Sequence, residues 1–168
     1  YQNGKPDGLY KTWYANGKKR SMFTYRKGKK HGLVMMWYKN GNKKSRYFIY
    51  KKKLEGPVVD WHANGKKKFE CFYRNAKPHG LCRDWYPSGA KKGVVTFANG
   101  KPLTTDVSWH ANGQVSSRIP HFNGKKHGRP TGWHKNGQKG VSENYVHGKQ
   151  CGVWYYWNSK GIPKPYPQ

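Results

Sequence analysis

Histidine, cysteine and carboxylate are the residues of this chain that could do chemistry. Eight histidines invite a metal site, three cysteines invite thiol chemistry, and seven acids invite proton transfer. Their spacing speaks against all three. His31, His79 and His127 hold one position of a 24-residue period in alternate units, which puts them about 19 Å apart if each unit adds two strands. His62, His110 and His134 stand where Tyr14, Tyr38 and Tyr86 stand in other units, and neighbours in that column fall about 10 Å apart. The ligands of one zinc must converge within about 2.1 Å of it. The acids Asp7, Glu55, Asp60, Glu70, Asp84, Asp106 and Glu143 are scattered without a clear carboxylate pair. Most of them read as charge partners for nearby lysines. Neither a Ser-His-Asp nor a Cys-His pattern stands out, and the glycines belong to turns, not to a phosphate-binding loop that opens a helix. The expectation is no catalytic site, no metal, no cofactor and no small-molecule substrate.

The lysines are different. The chain carries 34 Lys+Arg against 7 Asp+Glu, a net charge of +27. Solubility needs a net charge of only about 2–8 in a small domain. The excess attracts acidic protein, nucleic acid or anionic lipid. Lys5, Lys29, Lys53, Lys77, Lys101, Lys125 and Lys149 recur without a slip, and clusters at Lys18-Lys19-Arg20, Lys43-Lys44, Lys51-Lys52-Lys53, Lys66-Lys67-Lys68 and Lys91-Lys92 sit at or beside turns. Lysines at the turns of a sheet would form basic rails along its two edges. The candidate partner-binding residues are therefore that column together with Lys51, Lys52, Lys66, Lys67 and Lys68.

Positioning these rails requires a regular frame, and tryptophan supplies it. Trp13, Trp37, Trp61, Trp85, Trp109, Trp133 and Trp157 keep the same beat, and Gly17, Gly41, Gly65, Gly89, Gly113, Gly137 and Gly161 follow each by four places. A period of this size marks a repeat array. Each unit holds two short segments rich in β-formers and two turns, too short and too weakly periodic for helices. Asn-Gly at Asn16-Gly17, Asn40-Gly41, Asn64-Gly65, Asn112-Gly113 and Asn136-Gly137 reads as a type I′ hairpin turn. Alternation sends Leu9, Lys11 and Trp13 to one face and Tyr10, Thr12 and Tyr14 to the other. The tryptophans form a structural ladder. The Tyr/Phe column of Tyr25, Ile49, Tyr73 and Phe97 is expected to fill the gaps of about 10 Å between them. The expected fold is all-β: an elongated single-layer antiparallel sheet of seven consecutive hairpin repeats over residues 1–162, with a proline-rich end over 163–168. Pro163, Pro165 and Pro167 should end the sheet, because proline cannot donate to a ladder.

The unit resembles the MORN repeat of the second, YwqK-like type, whose pattern is matched by GLYKTWYANGKKRSMFTYRKGKKHG at residues 8–32 and again at 56–80. The resemblance covers nearly the whole chain. It implies a scaffold that binds partners and dimerises, contact with phospholipids, and no catalysis within the array. The YwqK likeness also implies an antitoxin-like role. Thr104 departs from the pattern at a position otherwise held by Gly8, Gly32, Gly56, Gly80, Gly128 and Gly152, which marks either a bend or drift.

The partners expected are acidic proteins of a larger assembly, with anionic lipid or nucleic acid as the alternatives. Cys71 and Cys82 lie on successive strands and could face each other, but the low, odd count of Cys71, Cys82 and Cys151 reads as reduced thiols, and so as a reducing compartment or a virion interior. No apolar run approaches the roughly 20 residues of a transmembrane helix. The chain opens on Tyr1 in mid-repeat and without Met, as a piece of a longer protein does.

Overall fold

A computed structural model describes residues 1–164. Its strands are β1 (Gly8–Trp13), β2 (Lys19–Arg26), β3 (Lys29–Trp37), β4 (Lys43–Tyr50), β5 (Lys53–Trp61), β6 (Lys67–Arg74), β7 (Lys77–Trp85), β8 (Lys91–Ala98), β9 (Lys101–Pro102), β10 (Asp106–Trp109), β11 (Val115–Ile119), β12 (His121–Phe122), β13 (Lys125–Lys126), β14 (Thr131–Trp133), β15 (Lys139–Ser142), β16 (Tyr145–Val146), β17 (Lys149–Gln150), β18 (Tyr155–Trp157) and β19 (Pro163–Lys164). One antiparallel sheet runs β1 through β8, then β10, β11, β14, β15, β18 and β19, with β9 paired to β8. The pairs β12–β13 and β16–β17 stand apart as two-stranded ribbons. The chain is thus an all-β array of consecutive hairpins. Among the described residues no helix is long and apolar enough to cross a membrane.

The two turns of each unit exchange the roles read from the sequence. Of the Asn-Gly pairs only the glycine takes positive φ, as at Gly17 (77°). Gly17 N–H donates to the Tyr14 carbonyl and Tyr14 N–H to the Lys18 carbonyl, the pattern of a type I turn followed by a left-handed glycine. The two-residue turn with positive φ at both centres is the other one: Lys27 (50°) and Gly28 (75°), and likewise Asn75 (52°) and Ala76 (62°). The freed Asn side chains link units. Asn16 Oδ1 accepts from Lys18 N–H at 3.2 Å while Asn16 Nδ2 donates to the Lys39 carbonyl of the next unit at 2.9 Å. Asn40, Asn64, Asn112 and Asn136 donate in the same way to Ala63, Pro87, Lys135 and Ser159. Ser88 stands at this position in one unit and only its hydroxyl caps its own turn.

Burial collects on one face. Val34, Val58, Cys71 and Cys82 are buried apolar residues, and register places Val34 opposite Tyr47, Val58 opposite Cys71 and Cys82 opposite Val95. At the first unit Tyr10, Phe23 and Tyr25 cluster there, with Tyr10 and Phe23 stacked at 6.2 Å and the other two contacts edge-on. Cys71 and Cys82, on adjacent strands with Cα atoms 4.2 Å apart, form a disulfide. The reading of both as reduced thiols is corrected: successive strands of a meander bring the two side chains together on the buried face. The thiol argument for a reducing compartment falls with it. Cys151 is free and exposed.

The frame is most regular through β8. Gly32, Gly56 and Gly80 sit at positive φ (81°, 77° and 81°) where the register of each nine-residue strand slips against its partner. Thr104 does not take that conformation, and the corresponding strand is split into β9 and β10. Its hydroxyl accepts Thr96 N–H at 3.2 Å instead. Beyond it, Pro120 and Pro130 remove ladder donors and the strands shorten. At the far end the proline expectation needs one correction. Pro163 pairs with Trp157 inside the last strand, where the edge leaves its missing N–H without a partner to deprive. Pro165 and Pro167 lie outside the described residues.

Candidate anion-binding surface and tryptophan ladder

The lysine column lies where the two-residue turns line one edge. Lys5, Lys29, Lys53, Lys77, Lys101, Lys125 and Lys149 are all exposed, as are Lys51, Lys52, Lys66, Lys67 and Lys68. The stems of Lys5 and Lys77 run against the backbone of Gly28 and Gly100 in the next unit, at 3.4 and 3.5 Å from where a Cβ would stand. The same contact recurs for Lys101 on Gly124 and Lys125 on Gly148, and it leaves each ammonium in water.

The predicted binding lysines are not all equivalent. Lys66 Nζ donates to the Ser88 carbonyl at 2.5 Å, as Lys18 Nζ does to that of Asn40 at 2.7 Å. Lys67 Nζ contacts Glu70 at 2.6 Å, and Glu70 also holds Arg83 at 3.0 Å. The Glu70 carboxyl is accordingly held below its ordinary range, first by the hydrogen bond from Lys67 and then by Arg83, against the opposing effect of burial. Lys92 approaches Asp84 at 3.6 Å. None of the seven column lysines is in an ion pair among the described residues.

Two acids act as turn caps, and the expectation that acids serve as lysine partners fails for them. Asp7 accepts Lys27 N–H and Glu55 accepts Asn75 N–H, each at 2.8 Å and each across to the next unit. His79 and His127 hold the same repeat position, and their Nδ1 atoms accept from Asn99 N–H at 3.5 Å and His147 N–H at 3.3 Å. The second histidine column is also structural. Tyr14, Tyr38 and Tyr86 donate their hydroxyls to the carbonyls of Trp37, Trp61 and Trp109, and His62, His110 and His134 place Nε2 at 2.9, 2.8 and 2.9 Å from those of Trp85, Trp133 and Trp157. A carbonyl only accepts, so Nε2 carries the proton. Tyrosine and histidine interchange here because both reach the same oxygen with one donor. Tyr38→Phe should leave the Trp61 carbonyl without this donor and lower stability by about 1 kcal/mol. Urea unfolding would measure it, and a midpoint equal to that of the parent would remove this bond from the account.

The tryptophan ladder differs from expectation in its filler. The Tyr/Phe column pairs with the opposite end of the strand, as Gly8 with Tyr25 shows. Lysine fills the gaps instead. Trp13 pairs with Lys19, and Lys19, Lys43 and Lys67 set Nζ 5.9, 5.8 and 5.8 Å from the ring centres of Trp37, Trp61 and Trp85. Indole and ammonium therefore alternate along the edge of the Asn-Gly turns. Apart from Trp13, which is exposed, the ladder tryptophans are half-buried.

A family model of the MORN repeat variant matches residues 6–27 and 54–75, so the chain carries MORN-type repeats there. No curated protein matches it. MORN repeats are associated with membrane, lipid or protein binding, and the family is not an enzymatic one.

Proposed function

We propose that this array is a non-catalytic scaffold whose basic edges hold acidic or polyanionic partners within a larger assembly. The observation that carries the reading is the exposed lysine column: seven ammonium groups at one repeat position, outside every ion pair of the described residues, on a chain of net charge +27. One unit adds two strands, so these charges recur about every 10 Å. A row of that kind suits an extended acidic segment, and the stems of Lys5, Lys77, Lys101 and Lys125, already packed on turn glycines, reduce the entropy lost when it binds. Lys53→Glu with Lys77→Glu should weaken binding of an acidic polypeptide or polyphosphate at least tenfold and cut the salt slope by about one unit per lysine, with no change in melting temperature. Unchanged affinity would remove the column from the binding surface.

One observation favours a second reading, an anionic phospholipid surface. Leu9, Phe48, Phe72 and Leu81 are 57%, 39%, 43% and 40% exposed. Strand alternation puts Leu33–Phe48 and Pro57–Phe72 on the face opposite Val34 and Val58, next to the lysine-column edge. Co-sedimentation with phosphatidylserine vesicles, compared with phosphatidylcholine vesicles, tests it: binding to neither leaves the scaffold reading alone.

A further inference from the structure

The alternation of indole and lysine breaks after Trp85. Lys91, which follows the same beat as Lys19, Lys43 and Lys67, lines an open cleft between Trp85 and Trp109. The cleft measures ≈ 350 Å³ and is also lined by Val94, Gly93, Arg83, Glu70 and Asp84. That volume suits a ligand of nucleoside size. Gly93 adds no side chain, and a Cβ there would meet Asp84 Oδ2 at 2.5 Å and displace that carboxylate. The charges sort themselves. Arg83 is engaged by Glu70, and Asp84 by Lys92. Lys91, exposed and outside those pairs, is the cation left beside the two indoles.

We propose that this cleft binds a nucleotide of single-stranded nucleic acid, the base held between Trp85 and Trp109 and the phosphate on Lys91. The proposal deepens the polyanion reading above, on which its phosphate contact rests. Aromatic walls accept any base through its π-face, and interleaved cations follow the phosphates. The next interval favours a polymer over an isolated ligand. There Val115 takes the place of the lysine, and Trp133, Arg118, Val115, Gln114 and Gly137 line a second cleft of ≈ 380 Å³. Two successive clefts, each with indole and guanidinium, about 10 Å apart along the sheet, match a ligand that repeats ring and anion along its length. An acidic peptide supplies the charge but not a ring at each step.

The test compares an oligothymidylate of about 20 nucleotides with an abasic oligomer of the same length and charge, by anisotropy and by quenching of indole fluorescence. The parent protein should bind the oligothymidylate about tenfold more tightly than the abasic strand, with quenching by the former alone. Val94→Phe fills the cleft while keeping both tryptophans, and should abolish the difference without weakening abasic binding. Lys91→Glu, at an exposed position, provides a second variant should Val94→Phe fail to fold, and should cut oligothymidylate affinity more than abasic affinity. Equal affinity of the parent for the two strands, or a difference that survives both variants, would overturn the proposal. Loss of abasic binding alone, with base-dependent quenching intact, would count against the lysine edges and for the cleft.

Discussion

Val34→Asp should destabilise the array by roughly 3–5 kcal/mol at neutral pH, the largest effect expected of any single substitution here. Val34 is 2% exposed and forms, with Val58, Cys71 and Cys82, the small set of buried apolar side chains in a single-layered sheet. With so few, each carries a large share. The substitution removes the burial of an apolar side chain, about 1.5–3 kcal/mol, and asks a carboxyl to desolvate without a partner. Burial raises the folded pKa of such a group above its unfolded value near 3.9. The charge penalty is then absent below the unfolded pKa and grows as pH rises through the folded one, so the deficit should shrink on acidification. Urea unfolding at neutral and acid pH reads both quantities. A midpoint equal to the parent's would mean that the Val34 face is not the core. The chain contains its own control, because Asp106 holds the same repeat position. Its carboxyl is raised first by desolvation, with His121 opposing and Asp84 adding. It is tolerated there because Asp106 is only half-buried, next to the break between β9 and β10.

Gly80→Val should cost about 2 kcal/mol or more, and Gly80→Ala about half of that. Nothing lies within 4 Å of a Cβ built at Gly80, so the cost comes from the backbone, which takes φ of 81° at this point. A β-branched residue fits that region worst. Loss of a cooperative unit in hydrogen exchange around β7, with a lower melting temperature, is the expected readout. A neutral result would show that the slipped register can re-form without positive φ.

The hairpin count, the antiparallel order and the exposure of the lysine column were legible in the sequence, because each depends on a local signal repeated in register. Trp, turn glycine and lysine each mark the same geometric place in every unit, so a one-dimensional period is enough to reveal them. The turn types were not legible. Asn-Gly fits both a type I′ turn and a type I turn with a left-handed glycine, and the choice was decided by where Asn16 Nδ2 finds an acceptor, the Lys39 carbonyl of the next hairpin. The roles of Asp7 and Glu55 were hidden for the same reason: their partners, the N–H groups of Lys27 and Asn75, lie across a strand boundary. A 24-residue recurrence of acid or histidine at positions 7, 31, 55, 79 and 127 was the available signal.

The sequence alone determined that this protein is a chain of hairpins with a cationic surface, because period, turn residues and net charge are one-dimensional properties. Only the tertiary structure decided which side chains face each other across strands. It put lysine, not tyrosine, between the tryptophans, joined Cys71 to Cys82 and opened the cleft between Trp85 and Trp109. Those outcomes depend on register, and a bulge next to each tryptophan from Trp13 to Trp133 shifts the register in a way that strict alternation cannot foresee.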